Sequence, residues 1–107
     1  DRKKDIIISG GENISSIEIE NCISSHDSVA ICAVVAMEDE KWGEVPCAFV
    51  ELLDDKKENE LDLIDFCRKN LAGYKVPKKI IYGDVPKTST GKVQKAKLRE
   101  SLLRKSD

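Results

Sequence analysis

A chain of 107 residues, 40% of them hydrophobic, is long enough for one domain with a core of its own, burying roughly 60–70% of the surface its unfolded form would expose. Its net charge is only -2, but residues 38–65 hold eleven acidic and three basic side chains, whereas 87–105 hold seven basic and one acidic. Only five aromatics occur and none interleaves with the basic run, which argues against a nucleic-acid groove. No apolar run approaches bilayer length and no signal peptide is visible, so an intracellular, cytoplasmic protein is expected.

From the N-terminus, Ile6-Ile7-Ile8 is a short β-branched run closed by Ser9-Gly10-Gly11, and Glu12-Asn13-Ile14 leads away, which predicts a strand, a tight turn and a return. Ser15-Ser16-Ile17-Glu18 has the form of a capping box, with Ile14 and Ile19 at the positions of a hydrophobic staple, so a helix should run from Ser16 to Ser24 or Ser25. Its stripe of Ile19, Cys22 and Ile23 needs a sheet to cover it, and 29–36 supply a nearly continuous apolar strand. Residues 37–43 read as an acidic connection carrying the only tryptophan, Trp42. A second strand follows over 45–53, antiparallel to the first, with Pro46 expected at its start or on an edge because it cannot donate to a ladder.

After a charged loop at 54–59, Leu61, Ile64, Cys67 and Leu71 recur at helical spacing, with Gly73 and Pro77 as the stop. Lys79–Tyr82 reads as a third strand, and Leu98, Leu102 and Leu103 mark one side of a closing helix. This order predicts an α+β fold, a small three-stranded sheet packed by helices plus an N-terminal β-hairpin, with the Gly10 and Lys92 loops near one edge. Cys22, Cys32, Cys47 and Cys67 are scattered among apolar neighbours without a histidine cluster, so reduced core thiols are expected, and neither disulfides nor a metal site.

The most informative stretch is Pro86-Lys87-Thr88-Ser89-Thr90-Gly91-Lys92, which runs into the basic helix. Pro86 fixes the entry, the hydroxyl residues favour a turn, and Gly91 allows backbone angles that a side chain would forbid. Lys92 is thereby presented as a compact cation with three donors, suited to a phosphate or carboxylate whose charge changes during a reaction. The plainer reading is a solvated lysine beside a polar turn.

A second motif tips that balance. Asp1-Arg2-Lys3-Lys4-Asp5 leads through Ile6-Ile7-Ile8 into Ser9-Gly10-Gly11-Glu12-Asn13-Ile14, with Glu18-Ile19-Glu20 close behind. Together the two motifs resemble the last two motifs of the adenylate-forming superfamily, which holds acyl-CoA synthetases, luciferases and the adenylation domains of peptide synthetases. The likeness runs from Asp1 to about Arg104 and is closest to the acyl-CoA synthetase and acyl-activating enzyme branch. It implies a single C-terminal, mobile domain over 1–107, completed by a large N-terminal domain, which is its partner.

The resemblance further implies an acid–thiol ligase acting in two half-reactions, and a fragment inert on its own. A small carboxylic acid attacks the α-phosphate of ATP, usually with Mg²⁺, and coenzyme A then displaces AMP. Lys92 matches the lysine that meets the carboxylate and phosphate oxygens, Arg2 the arginine on the nucleotide ribose, and Lys4 the hinge. Ser9, Gly10 and Gly11 match the loop lining the pantetheine tunnel, while Trp42, Tyr74 and Lys78 lie where some ligases hold the nucleotide end of coenzyme A. Trp42 reads equally as a loop aromatic packed on the sheet. Val76 and Gln94-Lys95 depart from the pattern, standing where related ligases carry arginine. The rival reading is a free-standing binding or regulatory module, or an acceptor thiol on a carrier protein. A peroxisomal address would follow from a targeting tripeptide after Asp107.

Overall fold

The computed structural model describes residues 6–53 and 60–105. Among the described residues nine elements follow one another: β1 (Ile6–Ser9), β2 (Glu12–Ser15), α1 (Ser16–Ser24), β3 (Val29–Asp39), β4 (Gly43–Leu52), α2 (Glu60–Asn70), a short 3-10 turn at Gly73–Lys75, β5 (Lys79–Tyr82) and α3 (Lys95–Lys105). The α1 boundary falls where the capping signal put it. Ser15 is the N-cap and its side chain accepts from the Glu18 N–H at 3.4 Å, while the staple residues Ile14 and Ile19 are fully buried.

β4 is the spine of the sheet. Along one edge it pairs antiparallel with β3 from Gly43–Asp39 to Leu52–Val29. Its other edge is shared, taking β1 at Ser9–Gly43 and then β5, in parallel, from Cys47–Lys79 to Val50–Tyr82. The three expected strands are therefore joined by the hairpin into a single five-stranded sheet. Pro46 lies inside β4, not at its start or on an edge as expected. It sits between the last β1 pair and the first β5 pair, where its missing N–H interrupts neither ladder, and its carbonyl accepts from the Lys78 N–H at 3.0 Å.

Strand alternation sends successive side chains to opposite faces. On one face Val34, Ala48, Val50 and Ile80 pack with Ile19 and Ile23 of α1 and Leu63 and Cys67 of α2. On the other, Ala33, Val35, Cys47 and Phe49 pack with Val85, which follows β5, and with Leu98 of α3. Each fully buried aliphatic side chain here contributes about 1.5–3 kcal/mol. The closing helix uses Leu98 and, in part, Leu102, but Leu103 is 61% exposed, so the expected three-leucine stripe is narrower. In α2 the buried positions are Leu63 and Cys67, and the Leu61 side chain lies outside those described.

The thiols behave as core groups. Burial pushes Cys67 up to about 12 and raises Cys22 and Cys32 as well, with Cys22 and Cys67 in hydrogen-bonding contact. His26 accepts from the Ser28 N–H at 3.1 Å and stands edge-on to Phe66. Its work is local packing. Among the described residues no helix is long and apolar enough to cross a membrane.

Candidate functional site

Two constellations stand out, and they occupy opposite ends of β4. The first is built on the β1–β2 turn. Gly10 and Gly11 have φ of 56° and 84°, a region that side chains rarely enter. The Gly10 N–H donates to the Trp42 carbonyl at 2.8 Å, and a Cβ at Gly10 would come 2.7 Å from Trp42 Cε3. The indole thus lies on the glycine, and only glycine fits beneath it.

Trp42 is itself placed by its turn. Asp39 Oδ2 accepts from the N–H groups of Lys41 and Trp42 at 3.0 and 2.9 Å, and Gly43, with φ of 84°, returns the chain into β4. The Ile8 N–H donates to Glu44 Oε1 at 2.9 Å, fastening the hairpin to the same end. The result is a ledge of Ser9, Gly10 and Gly11 beside an indole that is 42% exposed, with the Lys41 ammonium 4.9 Å from the ring centroid. A ledge with only one small side chain next to a half-open aromatic can take a thin polar chain ending in a stackable ring.

The second constellation is the lysine loop. The Gly91 N–H donates to the Thr88 carbonyl at 2.9 Å, closing a turn in which Gly91 has φ of 89°. Both backbone groups of Lys92 are held by Thr88: its carbonyl accepts from the Thr88 N–H at 2.8 Å and its N–H donates to Thr88 Oγ1 at 3.1 Å. Thr88 Oγ1 also bonds Thr90 Oγ1 at 2.9 Å. Lys92 itself is exposed, a cation on a hydrogen-bonded turn.

Each stem of this loop ends in an ion pair whose carboxylate also accepts from a backbone N–H. On the incoming stem, Glu51 Oε1 takes the Val85 N–H and the Lys87 ammonium, both at 3.0 Å. These hold the Glu51 carboxyl below the usual range, the Val85 N–H first and Lys87 second. On the outgoing stem, Glu20 Oε2 takes the Val34 N–H and the Lys95 ammonium, both at 2.8 Å. Lys95, which the sequence placed where a phosphate-binding arginine is frequent, is committed to that pair and lies 3.4 Å from Ser16 Oγ. Sequence reasoning missed Glu51, Glu44 and Glu20, whose backbone N–H partners lie 14 to 36 residues away.

The two loops were expected near one edge, and the structure separates them. Their anchors, Gly43 and Glu51, are eight residues apart in β4, about 26 Å at about 3.3 Å per residue. Strand length and partner exchange decide this, and neither is written in the motifs. Of the remaining candidates, Lys78 is exposed beside Pro46, toward the Gly10 end. Tyr74, 47% exposed, is paired with Lys75, whose ammonium is 5.6 Å from its ring and 2.9 Å from Glu18 Oε1. Glu18 thus serves the cap by its N–H while its carboxylate binds Lys75. Val76 belongs to the core. Arg2 and Lys4 lie outside the described residues.

A family model described as the AMP-binding enzyme C-terminal domain matches residues 18–92. The chain belongs to that family. Its relatives include an acetate–CoA ligase of Humulus lupulus, 54% identical over 104 residues, an alignment covering 92% of this chain and 18% of the relative. The peroxisomal trans-cinnamate:CoA ligase of Petunia hybrida is 56% identical over 101 residues, covering 94% and 18%. Among solved structures, a fatty acyl CoA synthetase of Mycobacterium tuberculosis superposes with a TM-score of 0.90 at 42% identity, covering 98% of this chain and 21% of that one. As an AMP-binding C-terminal domain, the chain spans about a fifth of the length of these proteins. The five-stranded α+β arrangement is the fold of that domain in acyl-CoA synthetases.

Proposed function

We propose that this AMP-binding C-terminal domain is the mobile part of an AMP-forming acyl-CoA ligase and serves both half-reactions, one from each end of β4. The observation that carries the proposal is the separation of the two loops. A single large-domain active site can meet anchors about 26 Å apart on one rigid strand only if the domain turns between steps. Lys4 is the proposed pivot.

In the first step a carboxylate oxygen of a small acid forms a bond to the α-phosphorus of ATP, and the bond to the bridging oxygen breaks to release pyrophosphate. Lys92, fixed through Thr88 and exposed to solvent, donates to the carboxylate and phosphate oxygens as charge shifts between them. Arg2 would meet the ribose. In the second step the sulfur of coenzyme A attacks the acyl carbon, the bond to the AMP oxygen breaks, and the thiol proton leaves to solvent or base. The ledge of Ser9, Gly10 and Gly11 would pass the pantetheine arm, with Trp42, Tyr74 and Lys78 toward its nucleotide end.

Among the described residues no group of three or more His, Cys, Asp and Glu side chains is placed to hold a metal ion. Mg²⁺ accompanying ATP would be bound by phosphate and the large domain, and no step here runs through it. The acid pocket and the rest of the nucleotide site belong to that large domain, so the fragment alone should be inert. The relatives named peroxisomal make that organelle the compartment to test for the full-length protein.

The test is Lys92→Ala in the full-length enzyme. Removing one oriented donor from a developing oxyanion should slow pyrophosphate release by about 10²–10³-fold. Release at the wild-type rate would remove Lys92 from this role.

A further inference from the structure

The Lys92 loop is tied to the sheet through a residue that sequence gives no reason to single out. Glu51 is the next-to-last residue of β4 and pairs with Ile31 of β3, so its backbone is fixed by the sheet. Its carboxylate holds the Val85 N–H and the Lys87 ammonium, and Lys87 Nζ also donates to the Val85 carbonyl at 2.8 Å, folding the side chain back over its own stem. Lys87 in turn faces Val93 in an isolated antiparallel bridge, and the Gln94 N–H donates to the Pro86 carbonyl at 2.9 Å. Lys92 sits between those two stems, its backbone held on both sides by Thr88, the residue after Lys87. The contacts form an unbroken path from the sheet through Glu51, Lys87 and Thr88 to Lys92.

We propose that Glu51 and Lys87 are positioning residues for adenylate formation, locking the Lys92 loop onto the end of β4 before substrate arrives. The proposal rests on the reading of Lys92 given above. Glu51 and Lys87 satisfy each other and touch no reacting atom in this scheme. Their effect is to spare the reaction the ordering of a four-residue hydroxyl and glycine turn. Displacing a reacting group by about 1 Å can cost about a hundredfold in rate. The effect must be confined to the first half-reaction, because the coenzyme A ledge is anchored at the opposite end of β4.

The experiment uses the full-length ligase and measures pyrophosphate release and, separately, thioester formation from supplied acyl-adenylate. Glu51→Ala and Lys87→Met should each lower the adenylation kcat by about ten- to a hundredfold, with the KM for ATP little changed and thioester formation at the wild-type rate. The double variant should lose less than the product of the two single losses, since both variants remove the same Glu51–Lys87 contact. Glu51→Gln, which keeps an acceptor for the Val85 N–H, should recover part of the loss. Wild-type adenylation in both single variants would overturn the proposal, and so would equal losses in the two half-reactions. Should Glu51→Ala fail to fold, Lys87→Met decides alone. Lys92→Ala run alongside separates the two readings: if it is slow while Glu51→Ala and Lys87→Met are normal, only the positioning role falls, and if it too is normal the reading of Lys92 falls.

Discussion

The Glu51 carboxylate offers a check that needs no catalysis. Its folded value is depressed below the ordinary 4.5, so its contribution to stability is complete above that value and is lost as pH falls through the lowered one. In a carboxyl-carbon titration, Glu51 should show a midpoint below 4.5. Lys87→Met should raise that midpoint only part of the way, because the Val85 N–H is the larger cause and remains in place. A midpoint at or above the ordinary value would mean that neither bond is populated in solution. At this scale the sequence was half legible. Lys92, Gly10 and Gly91 announce themselves by residue type and local spacing, whereas the carboxylates that hold their loops are ordinary glutamates until the chain folds.

Among the elements, α3 and α1 illustrate the same division. The start of α1 was readable because a cap, the N3 residue whose N–H it accepts and a staple all lie within six residues. The start of α3 is set differently, by Lys95 reaching Glu20 of α1 past the outer edge of β3, where Glu20 also covers the Val34 N–H. That arrangement blunts an edge strand as it fixes the helix. Glu20→Ala should leave the Val34 N–H and a Lys95 side chain only 21% exposed without this partner, at a cost of about 1–3 kcal/mol. Urea unfolding of the 107-residue chain measures it; an unchanged midpoint would mean that water replaces the carboxylate at no cost. Pro46 was misplaced by sequence reasoning because the rule that removes proline from central strands assumes a continuous partner on each side. β4 changes partner at that residue.

At the scale of the whole molecule, sheet and helix order were legible from alternation and caps, and the α+β class followed. The distance between the two loops was not, because it depends on how far β4 runs and on which edge each neighbour takes. Yet in the proposed scheme that distance is what gives the motifs their separate tasks. The direct measurement is to cross two variants of the full-length ligase with its two half-reactions. Lys92→Ala removes the cation from one end of β4. Gly10→Ala strikes the other, where the added Cβ meets Trp42 at 2.7 Å and the backbone at φ of 56° disfavours any side chain. We predict that Lys92→Ala loses pyrophosphate release and still converts supplied acyl-adenylate to thioester, while Gly10→Ala does the reverse. Both variants losing both half-reactions in equal measure would contradict a domain that works from its two ends.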